Sequence, residues 1–380
     1  MARPKIYKIA AGVLLVGIAA VSVIYLTLTN RHKAIVKTFV LHKLHLIDPD
    51  WNVRSGDSVY RMISPSFLID GIYKSMEGPK DSRYVQLSQD STLLWLTGFH
   101  VRALDAKTMR PVSNDFVCHT NVDFNDAKYY GNFHLEDRIG RQYPRMTSLS
   151  HGMEDFQFPK GYGVPMKGDD LLYVTTQTLN HNYPDTMLQV KHQVDIRYTR
   201  KSAGMKPLMA RTAFIMLPYD KRDPYEEPTD PGSNQCIPVE TKNHSYEDAQ
   251  GHTFSGHWVV PVGKSVYRSN VDGQLNIADS LRLHAAAIHV HPFATSISLV
   301  DDTMGKPVFV SPIVNHKNRI GLDSIAPFSS EAGIWLYKNH HYDIVLTVDN
   351  TSKVKQDMMG SMFLFFYDRE LDGILHQLSK

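Results

Sequence analysis

From residue 187 to 198 the chain alternates with period two: Leu188, Val190, His192, Val194, Ile196 and Tyr198 share one side, while Gln189, Lys191, Gln193, Asp195 and Arg197 share the other. Successive side chains of an extended backbone leave on opposite faces, so this pattern predicts a strand with one apolar face. Residues 171–179, 213–217, 334–337, 342–348 and 362–367 read as further strands. Short strands separated by Gly, Pro and Asn predict antiparallel sandwiches, and convincing amphipathic helices are scarce. A chain of 380 residues has room for two such units. The expectation is an all-β chain of two antiparallel, jelly-roll-like sandwiches in tandem. The first covers residues 56–205 and the second 206–372, with a Pro-rich, acidic loop at 218–250 and a tail at 373–380.

Ile9 to Leu28 is almost uninterruptedly apolar, preceded by Arg3, Lys5 and Lys8 and followed by Arg31, His32 and Lys33. A run of this length spans a bilayer, and no small-residue cleavage site follows it. Residues 1–33 therefore read as an uncleaved signal anchor, a transmembrane helix. Residues 34–55 read as a juxtamembrane linker, helical around 34–46. The short basic N-terminus predicts a single-pass protein of the inner (cytoplasmic) membrane with its bulk periplasmic, or extracytoplasmic. The net charge of +2 and the lack of a basic stripe argue against a nucleic-acid partner. Cys118 and Cys236 are the only cysteines, so at most one internal disulfide forms. No P-loop, Rossmann glycine signature, nucleophile elbow or zinc-protease motif occurs. Asp169-Asp170 and Asp301-Asp302 sit beside turn signals and read as loop carboxylates.

His289 and His291 flank Val290, so on a strand two imidazoles project together; Asp357-Met358-Met359-Gly360-Ser361-Met362-Phe363 follows downstream. Two imidazoles and a thioether suit copper, whereas packed core histidines and a gap-filling methionine explain the same residues without a metal. His192, on the apolar face of its strand, needs either a hydrogen-bond partner or a metal. Among the 19 histidines, His134, His151, His181, His244, His252, His257, His284, His316, His340 and His341 are further candidates, with His284 placed to orient a ligand.

The stretch from His257-Trp258-Val259-Val260-Pro261 through His289-Val290-His291, with Met359 ahead of Phe363, Phe365, Phe366 and Tyr367, resembles the second domain of the copper type II, ascorbate-dependent monooxygenases. The peptidylglycine α-hydroxylating and dopamine β-monooxygenases are its familiar members. The resemblance extends over roughly residues 55–370 and is dense only around these motifs. It implies a copper held by His289, His291 and Met359, and a second by Cys118, His119 and His192. There Cys118 stands where the family has the first histidine of a pair, and Lys191 shifts His192 by one residue. The family's disulfides are also missing. Ala287, Ser361 and Phe363 occupy the positions that clamp a peptide carboxylate, so peptide amidation is not expected.

Two functions follow as expectations. One is a membrane-anchored accessory or scaffold subunit of a larger membrane complex, photosynthetic or electron-transferring, that holds one copper or none and has protein partners. The alternative is a copper monooxygenase hydroxylating a neutral or hydrophobic substrate. A copper-storage or delivery role fits less well, because Met-x-Met runs are few.

Overall fold

The structure, a computed structural model, describes residues 3–218, 245–247 and 251–378, with side chains for all of these except 3–11, 14, 18, 245–247 and 378. Most of the 218–250 loop, with Cys236 and His244, lies outside the described residues.

Strands dominate, as the alternation predicts. One sheet runs through the whole body, in the order Asn52–Ser55, Val59–Ile63, Leu188–Thr199, Leu93–Asp105, Tyr162–Lys167, Lys206–Phe214, Gly360–Tyr367, Leu281–Val290 and Phe328–Leu336. Its first half is accompanied by the sheet Lys80–Val85, Leu172–Thr178, Val117–Phe124, Arg145–Leu149. Its second half is accompanied by Gly263–Asn270, Tyr342–Asn350, Ala294–Asp301, Lys306–Asn315, Leu322–Ile325. The join between halves is a short parallel pairing, Lys206 with Tyr162 and Pro207 with Gly163. Gly163 is required there, since a Cβ would stand 2.6 Å from the Leu96 carbonyl oxygen.

The two sandwiches also share one hydrophobic core. Phe156 of the first stacks on Phe365 of the second with ring centroids 5.6 Å apart, and Phe158 meets the same ring at 4.6 Å. Gly152, at φ +85°, seats a first-sandwich turn against the second. Ile325 N–H donates to its carbonyl at 2.7 Å, and a Cβ would lie 2.8 Å from Leu322 Cβ. Asn182 exchanges two hydrogen bonds with the Ile320 backbone, at 2.8 and 3.0 Å. Arg138 crosses to Asp368 and Glu370, each at 2.5 Å.

The strand Leu188–Thr199 carries the expected apolar face, with Val190, His192, Val194 and Ile196 fully buried. On its polar face Lys191, Gln193 and Asp195 are buried too. Asp195 accepts from Arg61 Nε at 2.8 Å, Gln193 accepts from Arg102, and Lys191 pairs with Asp48, so neighbouring long side chains cover one another.

At the N-terminus a helix spans Arg3–Thr27 and a second spans Asn30–Lys43, with Thr29 capping the second. Among the described residues no helix is long and apolar enough to cross a membrane. Several side chains of the expected anchor, at residues 9–11, 14 and 18, lie outside the described set. The second helix docks on the first sandwich through buried Ala34 and Thr38, with Lys37 Nζ 2.5 Å from Asp70 and His42 Nε2–H donating to Ser66 O at 2.8 Å. At the other end the expected tail begins inside a helix, Arg369–Leu378. Asp368 caps it by accepting from Leu371 N–H at 3.1 Å, and Leu371 is buried beneath it.

Candidate metal centre

His291 follows directly on the strand Leu281–Val290. Beside it the short strands Trp258–Val260 and Gln356–Met358 pair in antiparallel register, Val259 opposite Asp357. This pairing brings His257 and Asp357 to His291. The three are buried, and each offers one ligand atom within 4.8 Å of the others. His291 Nδ1 stands 2.8 Å from Asp357 Oδ2, and His257 Nδ1 stands 3.6 Å from Asp357 Oδ1.

The angles matter as much as the distances. Although close, His291 Nδ1 and both Asp357 oxygens lack an aligned hydrogen bond. His291 Nε2 lies 3.3 Å from Ser75 Oγ. In the tautomer that donates Nε2–H to Ser75, Nδ1 is an unprotonated acceptor beside the carboxylate, and a buried carboxylate next to a bare imidazole nitrogen is a donor set that a metal ion can join. Burial pushes the Asp357 carboxyl up, but the pull of His291 and His257 carries it below the usual carboxylate range.

More imidazoles gather beside this group. His289 meets His291 edge-on with centroids 5.6 Å apart, and His119 meets His289 at 6.2 Å. Burial, followed by repulsion from His291, His119, His151 and His257, holds His289 well below the ordinary histidine value. His151 donates Nδ1–H to Val117 O at 3.0 Å, which leaves Nε2 as a buried acceptor without a hydrogen-bond partner. Burial depresses its pKa to about 4 and that of His181 to about 3. A neutral imidazole held by a carbonyl on one nitrogen and bare on the other, as His151 is, is in the state a metal requires. Cys118, His151, His181, His289, His291 and Asp357 line one cavity of about 20 Å³, space for a small ion or a water and not for an organic substrate.

The structure therefore gathers four of the six residues proposed from sequence around one locality. His289 and His291 from one sandwich meet Cys118 and His119 from the other. Met359 is buried next to the strand Gly360–Tyr367, whereas the residues that line the cavity from this segment are Gln356 and Asp357. His192 lies elsewhere, within the first sandwich. Its Nδ1 is 2.6 Å from Thr176 Oγ1, its ring packs on Phe67, and burial lowers its pKa to about 4. His284 donates Nδ1–H to the Ser330 carbonyl at 2.9 Å and stacks on Tyr162, away from the cavity. Sequence reading passed over Asp357 and Ser75 as site residues. The signal for Asp357 was its place in the stretch that carries Met359, but Met359 drew the attention.

A metal ion thus fits the His257, His291 and Asp357 group, and nothing in the geometry singles out copper among first-row transition metals.

No sequence-family description matches the chain, and no curated protein does. Solved structures offer remote likenesses. A peptide-N(4)-(N-acetyl-β-D-glucosaminyl) asparagine amidase is 7% identical, with TM-score 0.33, over 80% of this chain and 96% of the other. The VP2 subviral particle of infectious bursal disease virus is 12% identical, with TM-score 0.20, over 86% and 76%. These likenesses are too weak to carry an argument.

Proposed function

We propose that this chain is a membrane-anchored accessory protein carrying one buried transition-metal centre, copper by preference, ligated by His257, His291 and Asp357 with His289 and His151 at hand. The observation that carries the reading is the convergence of His291 Nδ1 and the Asp357 carboxylate at 2.8 Å without an aligned hydrogen bond. A bound ion would supply redox or Lewis-acid chemistry. The protein's own residues fix the His151 tautomer through the Val117 carbonyl, hold His291 against Ser75, and exclude bulk water by burial. The narrow cavity supports an electron-relay or structural role over catalysis on an organic substrate. The exposed apolar side chains of the first helix, Val13, Leu15, Val16, Val21, Val23, Ile24 and Leu26, support the anchor.

A monooxygenase of the resembling family is the second reading, favoured because candidate residues from both sandwiches line one cavity. The full-length chain should be loaded with copper and assayed for ascorbate-dependent oxygen uptake with small neutral substrates. Metal binding without turnover supports the accessory reading. Sustained uptake coupled to product overturns it in favour of the enzyme.

A further inference from the structure

We propose that the helix Asn30–Lys43 lies on an anionic bilayer surface, its inner face holding the first sandwich and its outer face inserted among the lipids. The inner face is Ala34, Thr38, Lys37 and His42, all packed or bonded to the body. On the opposite arc at 3.6 residues per turn stand Ile35, Val36, Phe39 and Val40, and beyond the C-cap Leu44 and Leu46 continue the exposure. Phe39 is 60% exposed, Leu44 63% and Leu46 64%, values unusual for large apolar groups so close together.

Charge names the occupant. The sequence contains no aspartate or glutamate before Asp48, while Arg31, Lys33 and Lys43 belong to this helix. Lys43 Nζ sits 5.7 Å from the Phe39 ring centroid, so the ammonium borders the apolar stripe as a snorkelling lysine does at an interface. A helix that exposes Ile35, Val36, Phe39 and Val40 with Lys33 and Lys43 close by matches the boundary between acyl chains and anionic headgroups. The first helix, ending at Thr27 only three residues upstream, presents exposed apolar side chains continuous in sequence with this face. A protein partner would have no need of an acid-free margin. The docked helix would thereby fix the height and tilt of the sandwich above the membrane, which a flexible linker would leave free.

The test uses the full chain with F39W, floated with vesicles of brominated phosphatidylcholine and phosphatidylglycerol. Loss of most of the emission that the substitution adds, with wild-type emission little changed, is the expected result. A variant that floats with the vesicles yet keeps its added emission overturns the inference, since the face would then meet water or protein, while leaving the anchor intact. A chain that does not float at all removes the anchor as well.

Discussion

His119 and His289 come from different sandwiches, yet their rings stand edge to face with centroids 6.2 Å apart. The residues of two separate sites expected from the resemblance meet at one seam between the sandwiches. His192 does not join them. H192A should therefore leave metal affinity within about twofold of wild type while costing about 2–4 kcal/mol of stability through the cavity it opens. H151A should weaken metal binding by about 10-fold or more with a smaller stability loss. Metal titration and urea unfolding of the two variants check this; equal losses of affinity would undo the assignment.

The pH dependence of the metal-free protein has a definite sign. Native His192 stays neutral down to about pH 4, whereas a histidine of the unfolded chain protonates near 6.5. Between these values the unfolded state binds more protons, so stability rises with pH. The shift of roughly 2.5 units is worth about 3 kcal/mol, fully present above pH 6.5 and lost as pH falls toward 4. Unfolding of wild type and H192N at pH 7 and pH 5 measures it; the variant should show the shallower slope.

Arg138 is the charged tie between the first sandwich and the start of the last helix, its guanidinium 2.5 Å from both Asp368 and Glu370. Asp368 is 1% exposed, so R138A strands a buried carboxylate and should cost about 3–5 kcal/mol. E370A, which removes the exposed partner, should cost under about 1 kcal/mol. Thermal unfolding of both variants distinguishes the pairs.

G152A tests the seam beside His151. Its Cβ would adopt an unfavourable φ of +85° and meet Leu322 Cβ at 2.8 Å. A loss of about 2–4 kcal/mol is expected, together with weakened metal binding because His151 is the preceding residue. Unchanged stability would mean that the two sandwiches part more easily than their shared core implies.

The β character was legible because the period-two pattern is imposed by the backbone itself, as the buried Val190, His192, Val194 and Ile196 show. The candidate metal centre was half legible. The alternation that placed His289 and His291 together is local, whereas Asp357 reaches His291 through the register of Trp258–Val260 on Gln356–Met358, which no local pattern encodes. The continuous sheet was hidden for the same reason. Two parallel residue pairs, Lys206 with Tyr162 and Pro207 with Gly163, join the halves, and long-range pairing of that kind leaves no periodic trace. His192 stayed ambiguous in sequence because an apolar face with an imidazole on it reads alike whether the nitrogen meets Thr176 or a metal ion.

The most direct measurement is the metal content of the full-length chain after exposure to copper, zinc and iron in turn, followed by removal of excess ion, for wild type and D357A. One tightly held transition-metal ion per wild-type chain, with affinity reduced about 100-fold or more in D357A, is the predicted result. A wild-type chain that retains no metal, or D357A that retains it as tightly, would contradict the account.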